Sequence, residues 1–221
     1  MKIGIMGGTF DPIHIGHLLL GEFAYEDFGL DEIWFLPNGN PPHKRNEQEA
    51  ALKDRVEMVR LAIEEIPYFR LSLYEAKENV HSYTYQTMNY FNTKYPEHEF
   101  YFILGADSLF SIEQWKFFRE IFPTCRILAA MRDDSGLEDM ERQICYLQDT
   151  YQAQIDLLRA PLLEISSTVI RKRASDGLSV RYMVPEAVAA YIWEKGLYQN
   201  GAEEHIRDQR ISEEETEEQP L

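Results

Sequence analysis

The sequence predicts an α/β fold: a doubly wound, mostly parallel sheet. Three observations carry this. Runs such as Phe100-Tyr101-Phe102-Ile103-Leu104 and Arg126-Ile127-Leu128-Ala129-Ala130-Met131 are apolar at consecutive positions, so both faces of each strand need covering. Helical patterns separate the runs, as parallel crossovers require. Glycine- and proline-rich turns directly follow several runs, at the sheet edge where such folds bind ligands.

The elements follow in order. Lys2-Ile3-Gly4-Ile5-Met6 is the first strand, and 15–28 the first helix, with Leu18, Leu19, Ala24 and Phe28 among its apolar positions. Glu32-Ile33-Trp34-Phe35-Leu36 is the second strand, ended by Pro37-Asn38-Gly39-Asn40-Pro41-Pro42. A helix over about 47–66, a strand over 69–74 and a helix over 82–95 come next; Ser82 or Thr84 caps the last and Pro96 stops it. Residues 100–105 and 126–131 are buried strands, and 155–158 a weaker one. Helices near 167–173 and 185–195 close the fold.

A chain of 221 residues with 44% hydrophobic content can bury one real core, read here as a single domain over 1–200. Residues 201–221 read as an acidic, disordered tail: from 202 onward eight Asp or Glu stand against two Arg. The net charge of -16 repels a polynucleotide backbone, so no nucleic-acid partner is expected. Any anionic substrate must be met by a few placed donors. No apolar run reaches membrane-span length, and MKIGIMGG lacks the pattern of a signal peptide. Cys125 precedes a strand and Cys145 lies in a helical pattern; both are expected to be buried thiols in a cytoplasmic protein.

The chemistry concentrates in Gly7-Gly8-Thr9-Phe10-Asp11-Pro12-Ile13-His14-Ile15-Gly16-His17, directly after the first strand. Bare glycine backbone lets N–H groups approach a phosphate, and Thr9 adds a hydroxyl. His14 and His17, three apart at a helix start, share one side, where the dipole and open amides favour anions. Neither a third glycine opening the helix nor a Gly-Lys-Ser/Thr follows, so this is neither the dinucleotide fingerprint nor a P-loop.

This segment matches every fixed position of the nucleotidyltransferase superfamily motif Gly-x-Phe-x-Pro-x-His-x-Gly-His, and the chain resembles the bacterial nicotinate-nucleotide adenylyltransferases from residue 1 to about 198. Ile165-Ser166-Ser167-Thr168-Val169-Ile170-Arg171 resembles the superfamily's second motif. The resemblance implies a Rossmann-like nucleotidyltransferase fold and direct transfer of AMP from ATP to nicotinate mononucleotide, giving deamido-NAD and pyrophosphate in NAD biosynthesis. It implies catalytic roles for His14, His17, Lys44 and Arg171. ATP would be held by Gly7, Gly8, Thr9, Phe10, His14, His17, Arg132, Ser166, Ser167, Thr168 and Arg171. Nicotinate mononucleotide would be held by Thr9, Asn38, Lys44, Tyr83, Thr84, Asp107 and Trp115. In that family a helix start receives the pyridine carboxylate, here at Thr84, and a tryptophan stacks on the ring, here Trp115. Two departures are Gln86, where the family often has Asp, and Asp133-Asp134, where it usually has Pro-Gly.

No residue looks like an activated covalent nucleophile, so alignment and charge neutralisation carry the expected catalysis. Mg²⁺ is expected to arrive with ATP, held by substrate and water, with no protein metal site. The expected partners are the two small-molecule substrates; a homo-oligomer stays open. Competing readings are a same-fold enzyme for nicotinamide mononucleotide or phosphopantetheine, and a non-catalytic nucleotide sensor.

Overall fold

The computed structural model describes residues 1–39, 50–77, 82–131, 136–161 and 163–199. Six strands form one all-parallel sheet: β1 (Lys2–Gly8), β2 (Glu32–Pro37), β3 (Phe69–Leu71), β4 (Glu99–Gly105), β5 (Arg126–Met131) and β6 (Ile155–Arg159). Their order is β3-β2-β1-β4-β5-β6. The chain winds outward one way from β1 and the other way from β4. The crevice beyond the carboxyl ends of β1 and β4 is therefore the switch point where such sheets bind ligands.

Alternation along each strand feeds two cores. Tyr101, Ile103, Leu128 and Ala130 join α1 (Ile15–Phe28), α2 (Leu52–Ile63), α6 (Ser167–Ser175) and α7 (Glu186–Glu194) through Ala24, Met58, Ile170 and Val188. Phe100, Phe102, Ile127 and Ala129 face α3 (Thr84–Lys94) and α5 (Leu137–Tyr151) through Met88, Phe91, Ile144 and Leu147. A short α4 (Ala106–Phe110) follows β4, and 3-10 turns at Ile112–Gln114, Phe118–Glu120 and Phe122–Thr124 lead to β5. Among the described residues no helix is long and apolar enough to cross a membrane.

Several expectations are corrected. The third strand stops at Leu71 and not at 74, because only Ile33, Trp34 and Phe35 of β2 pair with it. The second helix starts at Leu52 after an extended Ala51. The third starts at Thr84, so the cap position falls on Tyr83, whose side chain makes no capping bond; Ser82 lies one residue too early and Thr84 one too late. Cys125 is buried but Cys145 is exposed, since α5 turns Ile144 and Leu147 inward on either side of it. Residues 201–221 lie outside the described residues, as do Lys44, Arg132 and Asp133-Asp134.

Candidate active site

The loop after β1 is built from its backbone outward. A Cβ on Gly7 would meet nothing within 4 Å, so the protein's own packing does not demand a glycine there. The space over that backbone is open to a ligand. Gly8 is hemmed in differently: a Cβ would lie 3.2 Å from the Phe10 ring. Phe10 is buried, packing edge-on to His17 at 5.1 Å and against Phe35. Its side chain belongs to the core. The main-chain oxygen of Thr9 accepts from Arg55 Nη1 at 2.6 Å.

His14 occupies the N-cap position of α1, and His17 lies three residues further on. Their rings stack with centroids 3.7 Å apart and 29° between planes. Gly16 makes room for this, since a Cβ there would sit 3.1 Å from the His14 ring. His17 Nδ1 accepts from His14 N at 3.2 Å, which leaves the proton of a neutral His17 on Nε2 as a donor. Both rings stand at the N-terminus of α1, a setting that favours anions.

The second motif is bolted to the first. Ser166 caps α6, its hydroxyl accepting from Val169 N at 3.3 Å. Ser167 Oγ donates to Pro12 O at 2.9 Å, and Arg171 Nη1 donates to Asp11 O at 2.8 Å. Arg171 Nη2 reaches Thr168 Oγ1 at 3.4 Å. The hydroxyls of Ser166 and Ser167 are thus engaged in shaping the site, while Thr168 is exposed and the Arg171 head is one-fifth exposed.

A second cluster lies beyond β2 and β4. Asn38 N donates to Gly8 O at 2.9 Å, and the buried Asn38 Oδ1 has no hydrogen-bond partner among the described residues. Gly39 N donates to Glu75 O at 2.8 Å, and Thr87 Oγ1 donates to Glu75 Oε1 at 2.5 Å. Glu75 therefore ties the loop after β2 to the first turns of α3. Burial pushes its carboxyl above the ordinary range, and the Thr87 donor pulls the other way. At the start of α3 the Tyr83 side chain makes no capping hydrogen bond, and no acid occupies the helix's own first turn.

The residues just after Trp115 pack on the start of α3. Lys116 Nζ lies 4.5 Å over the Tyr83 ring, and Phe117 packs edge-on to Tyr85 at 4.9 Å. Trp115 follows the 3-10 turn Ile112–Gln114, not an α-helix, and is half-buried with an edge contact to Phe102. Asp107, exposed in the first turn of α4, lines a separate cavity of about 350 Å³ with Gly105, Ser108, Met131 and Met140, at the carboxyl ends of β4 and β5.

The sequence reading missed Arg55, Glu75, Thr87 and Tyr198. Arg55 is 2% exposed, unusual for arginine, yet nothing in its helical surroundings sets it apart. Asp11 was visible only as a variable position of the motif; it is a buried hub, accepting at Oδ1 from Ala50 N at 3.1 Å and from Tyr198 Oη at 2.7 Å.

The chain is similar in sequence and fold to known proteins. The cytidylyltransferase-like family model matches residues 5–173. A protein of Lachnoclostridium phytofermentans named "Probable nicotinate-nucleotide adenylyltransferase" is 44% identical over 89% of this chain and 98% of its own length. One of the same name from Exiguobacterium sibiricum is 42% identical over 90% and 99%. The fold matches the Plasmodium falciparum nicotinic acid mononucleotide adenylyltransferase complexed with NaAD, with TM-score 0.73, 21% identity, and coverage of 89% of this chain and 97% of that one. With identity above 40% along nearly the whole of these relatives, and a family model matching residues 5–173, the chain belongs to the nicotinate-nucleotide adenylyltransferase family.

Proposed function

We infer that the protein transfers the adenylyl group of ATP to nicotinate mononucleotide, giving deamido-NAD and pyrophosphate, a step of NAD biosynthesis. The observation that carries this is the 44% identity over 98% of a relative bearing that activity in its name. The bare backbone at Gly7, the stacked His14 and His17, and Arg171 tied to the same loop support it physically.

In this reading a 5′-phosphate oxygen of the acceptor attacks the α-phosphorus of ATP. The bond from that phosphorus to the bridging oxygen breaks, and pyrophosphate leaves with the electron pair. A phosphate monoester is already nucleophilic, so no covalent enzyme intermediate is needed. His14 and His17 meet charge on the α- and β-phosphates, and Arg171 with Lys44 meets the pyrophosphate; Arg132 is assigned to the same nucleotide. Thr9 and Asn38 border the attacking phosphate, Asp107 meets ribose hydroxyls, and Tyr83, Thr84 and Trp115 hold the pyridine ring and its carboxylate. Such preorganised donors supply most of the catalysis.

Among the described residues no three His, Cys, Asp or Glu side chains converge as metal ligands. In this reading Mg²⁺ would come with ATP, held by substrate and water, and would lower the charge on the phosphates. We place the reaction in the cytoplasm, which the two free cysteines suit. The test is chromatography of the products from ATP, Mg²⁺ and nicotinate mononucleotide. Deamido-NAD and pyrophosphate in equal amounts are expected; no adenylylated product overturns the reading.

A further inference from the structure

We propose that Tyr198 is a positioning residue for adenylyl transfer, acting through Asp11 on Arg171 and the phosphate loop; this rests on the function proposed above. Tyr198 lies just beyond α7, and its backbone takes φ +66°. Bulky side chains adopt that left-handed conformation only where their surroundings hold them, at a cost that often marks a functional site. Two things hold Tyr198. Its residue is 7% exposed, and its hydroxyl donates to Asp11 Oδ1 at 2.7 Å.

Asp11 is 2% exposed, and its surroundings divide its oxygens by task. Oδ1 takes the Tyr198 hydroxyl and the Ala50 amide, both neutral donors. Oδ2 takes no hydrogen bond among the described residues and lies 3.9 Å from Arg171 Nη1. The main-chain oxygen of Asp11 accepts from that same Nη1 at 2.8 Å. Tyr198 therefore fixes the carboxylate on one side so that its other oxygen faces Arg171. Phe10, the residue before Asp11, also has a left-handed backbone, φ +48°, so this stretch is held in one particular shape.

The phenol is kept as a donor. Burial first, and then the Asp11 charge, raise its pKa far above the ordinary tyrosine value. Without that hydroxyl, Oδ1 keeps, among the described residues, the Ala50 amide alone, and the carboxylate can rotate toward or away from Arg171. The guanidinium head keeps the Asp11 main-chain oxygen and Thr168 but loses the fixed carboxylate charge beside it.

Tyr198→Phe keeps the ring and removes the donor. Pyrophosphate release is expected to show kcat lowered at least about fivefold with the acceptor KM changed less than about twofold, the scale of one hydrogen bond. Calorimetry with ATP alone is expected to show binding weakened at least about threefold. Both effects should vanish on an Arg171→Ala background, because the double-mutant cycle removes the route. A tyrosine that merely supports the fold changes both backgrounds by the same factor. Unchanged kcat and ATP affinity in Tyr198→Phe, or equal losses on both backgrounds, overturns the proposal. The ATP arm needs no acceptor, so absence of transfer to nicotinate mononucleotide sinks the function and still leaves the positioning decided. If Tyr198→Phe does not fold, Asp11→Asn keeps an acceptor for Tyr198 and removes the charge facing Arg171; undiminished ATP affinity there is equally fatal.

Discussion

Arg171 Nη1 donates to the main-chain oxygen of Asp11 at 2.8 Å, joining two segments 160 positions apart in the chain. This bond, with Ser167 Oγ to Pro12 O at 2.9 Å, makes the loop after β1 and the start of α6 one rigid unit. A guanidinium can bond Asp11 and Thr168 and still present N–H groups to a phosphate. An ammonium offers no such fork. Arg171→Lys should therefore lower kcat/KM by at least about tenfold, and Arg171→Ala by about a hundredfold. Steady-state pyrophosphate release measures both, and full activity in the lysine variant would show that the fork is not used.

The stacked histidines depend on the absence of a side chain at position 16. Gly16→Ala puts a Cβ 3.1 Å from the His14 ring, which must then shift by a few tenths of an ångström. Alanine is the better helix former, so the thermal midpoint should hold or rise. Activity should fall about tenfold, as misplacement of a catalytic group implies, and His17→Ala should fall at least about a hundredfold. Undiminished turnover in either variant removes the corresponding ring from the mechanism.

Glu75 links stability to pH. Burial raises its carboxyl in the folded protein, so the fold holds that proton to higher pH than the unfolded chain does. Its stabilising contribution is complete below the unfolded value, about 4.3, and is lost as pH rises through the folded value. Glu75→Gln cannot ionise and can still accept from Thr87 Oγ1. Its thermal midpoint relative to the parent should climb from about pH 4 toward neutrality. A difference that is flat across that range contradicts the assignment.

The two thiols should separate cleanly. Burial pushes the Cys125 thiol up to about 12, and Cys145 is exposed. An alkylating reagent under native conditions should modify Cys145 alone, with both modified after denaturation. Mass spectrometry of the peptides decides this. Native labelling of Cys125 would mean that the core beside β5 opens readily.

What the sequence made legible follows from how each feature is encoded. β4 and β5 were readable because Phe100 to Leu104 and Ile127 to Met131 are apolar on both faces. The two motifs were readable because glycine, histidine and arginine fall at fixed local spacings. Glu75 with Thr87, Arg55 with Thr9, and Tyr198 with Asp11 were not, because the chain separations are 12, 46 and 187 and each residue type is ordinary where it stands. The start of α3 was not legible from capping chemistry: Ser82 and Thr84 both have it, and the N-cap falls on Tyr83 between them.

The acceptor is the centre of the account, and it rests on residues far from the phosphate loop. The proposed carboxylate site is the start of α3 at Thr84, since a helix N-terminus favours a carboxylate over a neutral amide. The direct measurement is pyrophosphate release with ATP and Mg²⁺, comparing kcat/KM for nicotinate mononucleotide and nicotinamide mononucleotide. A preference for the acid of at least about tenfold is predicted, the scale of one charge-assisted interaction. Equal use of the two, or preference for the amide, would contradict the account.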